Sequence, residues 1–384
     1  MKRFLVIVIF SIMTGGCTWF TSYFSGDDNI DPPKKLTELK NKISVENIWS
    51  TNIGQGSGEQ LLRLVPAIEG DHVYVASRDG NIMSYAILSG QQKWETKTNN
   101  KISAGPGAGE GLVVVGTRNA EVIAYNKTTG KQVWLAKVSS EVLSVPVIQD
   151  NTVVIRTSDG RVTALDSKQG KIKWEFQKRE PSLTLRGTSK PVISSGRVIS
   201  GFDNGELISI TLKQGRQSWQ KKVGIPRGRT ELQRIIDLDA DPVISNGVIY
   251  AAAFQGNIAA INESDGNIIW SRKISLYAGL DVKDENIYLT DATGQVWSLH
   301  NKNGASLWRQ AALQRRSLTA PVVFKAYVVI ADFEGYLHFL DQTDGHQVAR
   351  VQGDSSGIQV APVVKGNVLI SLGKSGELAA FKIK

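Results

Sequence analysis

The sequence predicts an all-β chain, an eight-bladed β-propeller of four-stranded antiparallel blades closed by an N-terminal strand. Three observations carry that prediction. Seven of the nine tryptophans (Trp49, Trp94, Trp134, Trp174, Trp219, Trp270 and Trp308) share one phase, and each but the first follows a glycine four residues earlier. A turn pair such as Asp79-Gly80, Asn119-Ala120, Asp159-Gly160, Asn204-Gly205, Gln255-Gly256 or Thr293-Gly294 ends 14 positions before the tryptophan each time. Proline stands 14 positions before that turn residue in seven copies, from Pro66 to Pro362, with Leu280 as the exception.

Each element of the unit follows in order. After the proline come short apolar runs rich in β-branched residues, as in Val248-Ile249-Tyr250 and Ile258-Ala259-Ala260-Ile261, separated by Asn246-Gly247 and Gln255-Gly256. Such runs, bounded by turn residues and recurring every 40 residues or so, read as four antiparallel strands per unit, repeated radially. The glycine before the tryptophan serves the turn into the outer strand, where a positive φ costs it little. The tryptophan is expected to bury its ring between neighbouring blades, contributing on the order of 2 to 3 kcal/mol when fully covered. The seventh copy carries Ala349 at this place, and the eighth, from Pro362 to Phe381, has no tryptophan strand of its own. The segment around Asn47-Ile48-Trp49 supplies it, which leaves no open edge between first and last units.

The N-terminus reads separately. Lys2 and Arg3 precede an apolar run from Phe4 to Met13, too short to span a bilayer, and Thr14-Gly15-Gly16 then leads to Cys17, the single cysteine. Small residues before a lone cysteine resemble the bacterial lipoprotein signal, although the usual leucine three places before the cysteine is Thr14. That resemblance implies that Cys17 is acylated and becomes the first mature residue. With Thr rather than Asp at position 18, it also implies sorting to the outer membrane, with the propeller in the periplasm. The expected division is a signal peptide over 1–16, a lipidated N-terminus and tether over 17–42, and the propeller over 43–384.

Composition narrows the function. The formal net charge is +9, or about +7 once Lys2 and Arg3 leave with the signal. The lysines are scattered over the hairpins (Lys93, Lys131, Lys171, Lys173, Lys213) without a basic block, so no nucleic-acid partner is expected. His72, His300, His338 and His346 lack metal-ligand spacing, and no Walker loop, HExxH helix or Ser-His-Asp order is present. The glycine-to-tryptophan hairpin resembles that of the pyrroloquinoline-quinone dehydrogenases. Those enzymes are larger, with active-site insertions, calcium ligands and often an adjacent cysteine pair. One cysteine, already assigned to the lipid, and repeats that leave little sequence for a cofactor cap argue against that chemistry, so neither an enzyme nor a cofactor is expected.

Length variation is confined to the connections between one blade's tryptophan position and the next blade's proline. Most of these run 10 to 13 positions, but those from 49 to 66 and from 174 to 191 run 17 and that from 219 to 242 runs 23. The last two are neighbours on the rim that carries the Asp-Gly turns. One holds Pro181-Ser182-Leu183-Thr184-Leu185-Arg186-Gly187; the other holds the run from Arg227 to Asp239. Apolar residues beside Arg and Asp in loops have the composition of a protein-binding hot spot. The alternative is that the leucines fold inward as anchors and the charges pair among themselves.

The lipoprotein signal, the tether, eight repeats of this length, the Ser-Leu-x-Leu-Arg-Gly loop and the Asp-Leu-Asp-x-x-Pro loop together resemble the BamB lipoproteins of the β-barrel assembly machinery, over essentially the whole chain. The resemblance implies a non-catalytic scaffold, docked on a periplasmic POTRA domain of BamA beside other subunits of the complex. Such a scaffold helps to deliver or orient unfolded outer-membrane proteins. By motif match it places Leu183, Leu185, Arg186, Asp237 and Asp239 at the interface. Two other readings remain open, a periplasmic quinoprotein-like dehydrogenase and a propeller that binds another envelope component.

Overall fold

Because proline has no N–H to give to a ladder, the first strand of most units begins just after it, as in Ala67–Glu69 after Pro66 and Val243–Ser245 after Pro242. Where Leu280 replaces proline the strand starts earlier and runs Gly279–Lys283, with Leu280 paired to Leu289. The computed structural model describes residues 31–178, 189–224, 230 and 235–384. Among these, thirty-two strands form eight four-stranded antiparallel sheets.

Blades 1 to 7 span 67–97, 102–137, 147–177, 192–222, 243–272, 279–310 and 322–352. Each is a simple meander in which every strand pairs with the next in sequence. The first strands of successive blades touch one another all the way round, including those of blades 8 and 1, so they face the central axis. Blade 8 takes three strands from 363–383 and its fourth from Val45–Asn52, in register Val45 to Ile383 and Asn52 to Glu377. The expected eight-bladed propeller with N-terminal closure is therefore the observed fold.

The core lies in the seams between blades. One seam joins Tyr74, Ile82 and Trp94 of blade 1 to Val113, Val115, Ile123 and Tyr125 of blade 2, all nearly free of solvent contact. The phased tryptophans build these seams. The indole N–H of each donates to a backbone carbonyl of the following blade: Trp49 to Ile87, Trp94 to Lys127, Trp134 to Ser167, Trp174 to Leu212, Trp219 to Glu263, Trp270 to Asn301 and Trp308 to Gln342, at 2.7–3.1 Å. The glycine four residues before each tryptophan has a second reason to be glycine. Gly215 takes a φ of 69°, as the turn requires, and a Cβ on it would stand 2.6 Å from the ring of Trp174 in the blade before.

At Ala349 the missing ring is replaced from the N-terminal side. Ile43 and Val45 pack with Val348, Ala349 and Phe381, while the Lys42 N–H donates to the Val348 carbonyl and the Arg350 N–H to Asn41 Oδ1. Of the stretch assigned to the tether, residues 34–42 lie along blades 6 and 7. There the Arg316 and Arg350 guanidiniums donate to the carbonyls of Lys34 and Thr37, and Leu36 packs beside Trp308.

Candidate functional site at the turn-bearing rim

The turns between second and third strands close on the residue three places before the turn glycine, whose carbonyl accepts that glycine's N–H, as in Gly335 to Asp332 and Gly294 to Asp291. In blade 7, Asp332 Oδ1 accepts the N–H groups of Glu334 and Tyr336, while its Oδ2 accepts from the Arg316 guanidinium and bonds to His338 Nε2. In blade 6, Asp291 does the same for its turn and takes the Trp297 indole N–H on Oδ2. These turns thus account for two residues outside the repeat phase, Trp297 and the buried His338. Burial holds the His338 imidazole below its usual range, against the opposing pull of the Asp332 carboxylate.

The connection between blades returns beside these turns, as the Val223 N–H to Gly205 carbonyl bond shows. The long connections therefore share one rim with the turns. Of the residues expected at the interface, Leu183, Leu185 and Arg186 lie outside the described residues, as does Cys17. Asp237 and Asp239 are both within the interior, the first fully buried and the second 7 % exposed. The segment that carries them packs inward, with Ile236 and Leu238 in the seam against Ile199, Leu207 and Ile249. Its backbone is tied on both sides, to blade 5 by Phe254 N–H to the Asp237 carbonyl and to blade 4 by Leu238 N–H to the Phe202 carbonyl.

Asp239 belongs to a line of charge. Arg156, at the end of a blade 3 strand, is completely buried, stacks over the Phe202 ring at 4.9 Å and donates to Asp203 Oδ1 at 2.6 Å. Asp239 Oδ1 has no hydrogen-bond partner among the described residues. Burial, and then the Asp203 charge, push the Asp239 carboxyl up to about 7; Arg156 and Arg63 offset this in part.

Three residues that spacing alone did not single out complete the arrangement. Arg63, in the connection leading into blade 1, donates from Nη1 to the Asp239 carbonyl at 3.2 Å and from Nη2 to Asp241 Oδ1 at 2.6 Å. The Lys190 N–H donates to the same Asp241 oxygen at 2.7 Å. A signal for Arg63 was present, since its connection is as long as the one ending at Pro191, but nothing in the spacing shows how far a side chain reaches.

Among the described residues, no group of three or more His, Cys, Asp and Glu side chains is placed to hold a metal ion. Among the described residues, the ends of two long connections meet at the turn-bearing rim, the second of them carrying the buried carboxylates Asp237 and Asp239.

A family profile described as outer membrane protein assembly factor BamB matches residues 78–310. Proteins of that description from Pseudomonas aeruginosa and Marinobacter adhaerens are 44% and 48% identical, over 92% and 94% of this chain and 93% of each relative. One from Legionella pneumophila is 38% identical over 100% of both chains. Among solved structures, BamB from Moraxella catarrhalis superposes with a TM-score of 0.82 at 23% identity, over 88% of this chain and all of that one. The quinohemoprotein alcohol dehydrogenase of Comamonas testosteroni shares the fold at a TM-score of 0.70 and 12% identity, over 89% of this chain and 77% of its own. Identity of this extent along nearly the whole length shows that the chain belongs to the BamB family of outer membrane protein assembly factors.

Proposed function

We propose that this chain is a non-catalytic scaffold of outer-membrane protein assembly, held to the outer membrane by a lipid on Cys17 with its propeller in the periplasm. Its docking partner is a POTRA domain of BamA, and the docking surface is the pair of long connections before blades 4 and 5. The observation that carries this reading is the bond from the Lys190 N–H to Asp241 Oδ1, which joins the ends of those two connections into one unit on the turn-bearing rim. Leu183 and Leu185 supply apolar anchors and Arg186 sets orientation. Asp237 and Asp239, being buried, act from beneath by holding the second connection in place.

The test is binding of the lipid-free chain to the purified periplasmic region of BamA. Truncating a central anchor at such an interface costs about 2 kcal/mol, roughly thirtyfold in affinity. Leu185→Ala is expected to lose about that much with its melting temperature unchanged, whereas Lys137→Ala, on the exposed outer strand of blade 2, binds as wild type. Wild-type affinity in both Leu183→Ala and Leu185→Ala would move the interface elsewhere on the ring.

A further inference from the structure

The three longest connections of the ring lead into blades 1, 4 and 5, and one carboxylate oxygen touches all three. Asp241 Oδ1 sits at the end of the connection into blade 5, accepts the Lys190 N–H from the end of that into blade 4, and accepts the Arg63 guanidinium from that into blade 1. Blades 1 and 5 stand opposite each other in a ring of eight. The Arg63 contact therefore reaches between opposite sides of the ring at the turn-bearing rim, whereas the other side-chain ties described above join neighbouring blades, neighbouring strands or the N-terminal segment.

Arg63 is delivered rigidly. Its carbonyl accepts the Gly105 N–H and it bridges in parallel to Ala104 of blade 2. On either side, Leu62 and Leu64 are buried in the seam between blades 1 and 2. Upstream, Gly58 N–H donates to the Lys374 carbonyl of blade 8 and Arg78 N–H to the Gly56 carbonyl, so the strap is pinned along its length. At the far end the fork of the guanidinium holds two points at once, the Asp239 carbonyl and the Asp241 carboxylate. A planar fork suits this two-point grip better than a single ammonium would. The side chains of Arg63 and Asp241 remain 27% and 36% exposed, so water and salt reach the pair and its contribution to global stability is small.

We propose that Arg63 is a positioning residue for the docking surface: from outside both docking connections, it latches their ends in the arrangement the partner meets. This rests on the docking reading above, and it assigns a role to the third long connection. A surface ordered before binding loses less conformational freedom on association, so releasing the latch weakens binding without removing any contact to the partner.

Two measurements separate the possibilities. In amide hydrogen exchange, Arg63→Ala is expected to speed exchange at 189–190 and 235–241 while blades 6 and 7 stay as in wild type. In binding to the BamA periplasmic region, the same variant loses affinity on the order of tenfold, and Arg63→Lys, which keeps the charge without the fork, recovers part of it. Asp241→Asn, which keeps an acceptor for the Lys190 N–H, repeats the exchange result should Arg63→Ala fold poorly. Unchanged exchange in both variants, or wild-type affinity in Arg63→Ala alongside altered exchange, overturns the positioning role. Failure of the wild-type chain to bind at all overturns the docking reading instead, and the exchange result still decides whether the latch exists.

Discussion

The Trp49 ring covers Gly90, and its indole N–H donates to the Ile87 carbonyl at 2.8 Å, so the joint between the last blade and the first is built like the six that follow it. A strand from one end of the chain thereby carries the same seam chemistry as the internal repeats. Gly90 has a φ of 67°, and a Cβ there would stand 2.7 Å from the Trp49 ring.

Both sides of this joint are expected to matter for stability. Trp49→Ala should cost about 2 to 4 kcal/mol, near the lower end for loss of a buried aromatic because Trp49 is only partly covered. Gly90→Ala should cost about 1 to 3 kcal/mol through left-handed backbone strain and the displaced ring. Deleting 43–52 should lower the melting temperature of the whole propeller by more than either substitution. Thermal unfolding decides the matter, and a deletion variant that melts like wild type would show that the ring is held shut by other means.

The Asp239 carboxyl predicts a pH dependence. Its folded value of about 7 lies above the unfolded value of about 3.9, so between those limits the folded chain binds more protons than the unfolded one. Stability contributed at this position is therefore present at low pH, declines as pH rises through the window, and is level above it. In Asp239→Asn the decline is absent. Relative to wild type, its melting temperature should rise from pH 4.5 to about pH 7 and level off above that, and a constant difference from pH 4.5 to pH 8 would refute the shift.

Lipid attachment at Cys17 is the third expectation. Metabolic labelling with a fatty acid should mark the wild-type chain and leave Cys17→Ser unmarked. Equal labelling of the two would remove the anchor from the proposed function.

The blades were legible because their markers report local necessity. Proline marks where a ladder N–H is dispensed with, glycine where the turn is left-handed, and tryptophan where a seam must be filled. Even the departures had structural counterparts, since Leu280 lengthens a strand and Ala349 is backed by Ile43 and Val45. The rim was legible in outline only. Counting residues located the long connections, but it could not show that Ile236 and Leu238 turn inward beside a buried Asp237. Periodicity speaks to which face of a strand is covered, and these residues lie in no strand. The Arg63 to Asp241 contact was further out of reach, because it joins opposite sides of a closed ring and no local pattern encodes that distance.

Closure by the pairing of Val45–Asn52 with the strand Glu377–Ile383 also sets an order of events. The interior blades are chains of hairpins, each able to form from residues close together as soon as they are available. The final ladder is different. Its outer strand is among the first parts of the ring to be synthesised, and its partner is among the last. The entropy of bringing such distant segments together must be met before any of that ladder's bonds form, which makes this step slow. A chain synthesised from its N-terminus therefore carries its first strand unpaired until the last strand is made. It becomes a ring only when the far end is in place, so closure of the last blade requires both ends of the ring at once.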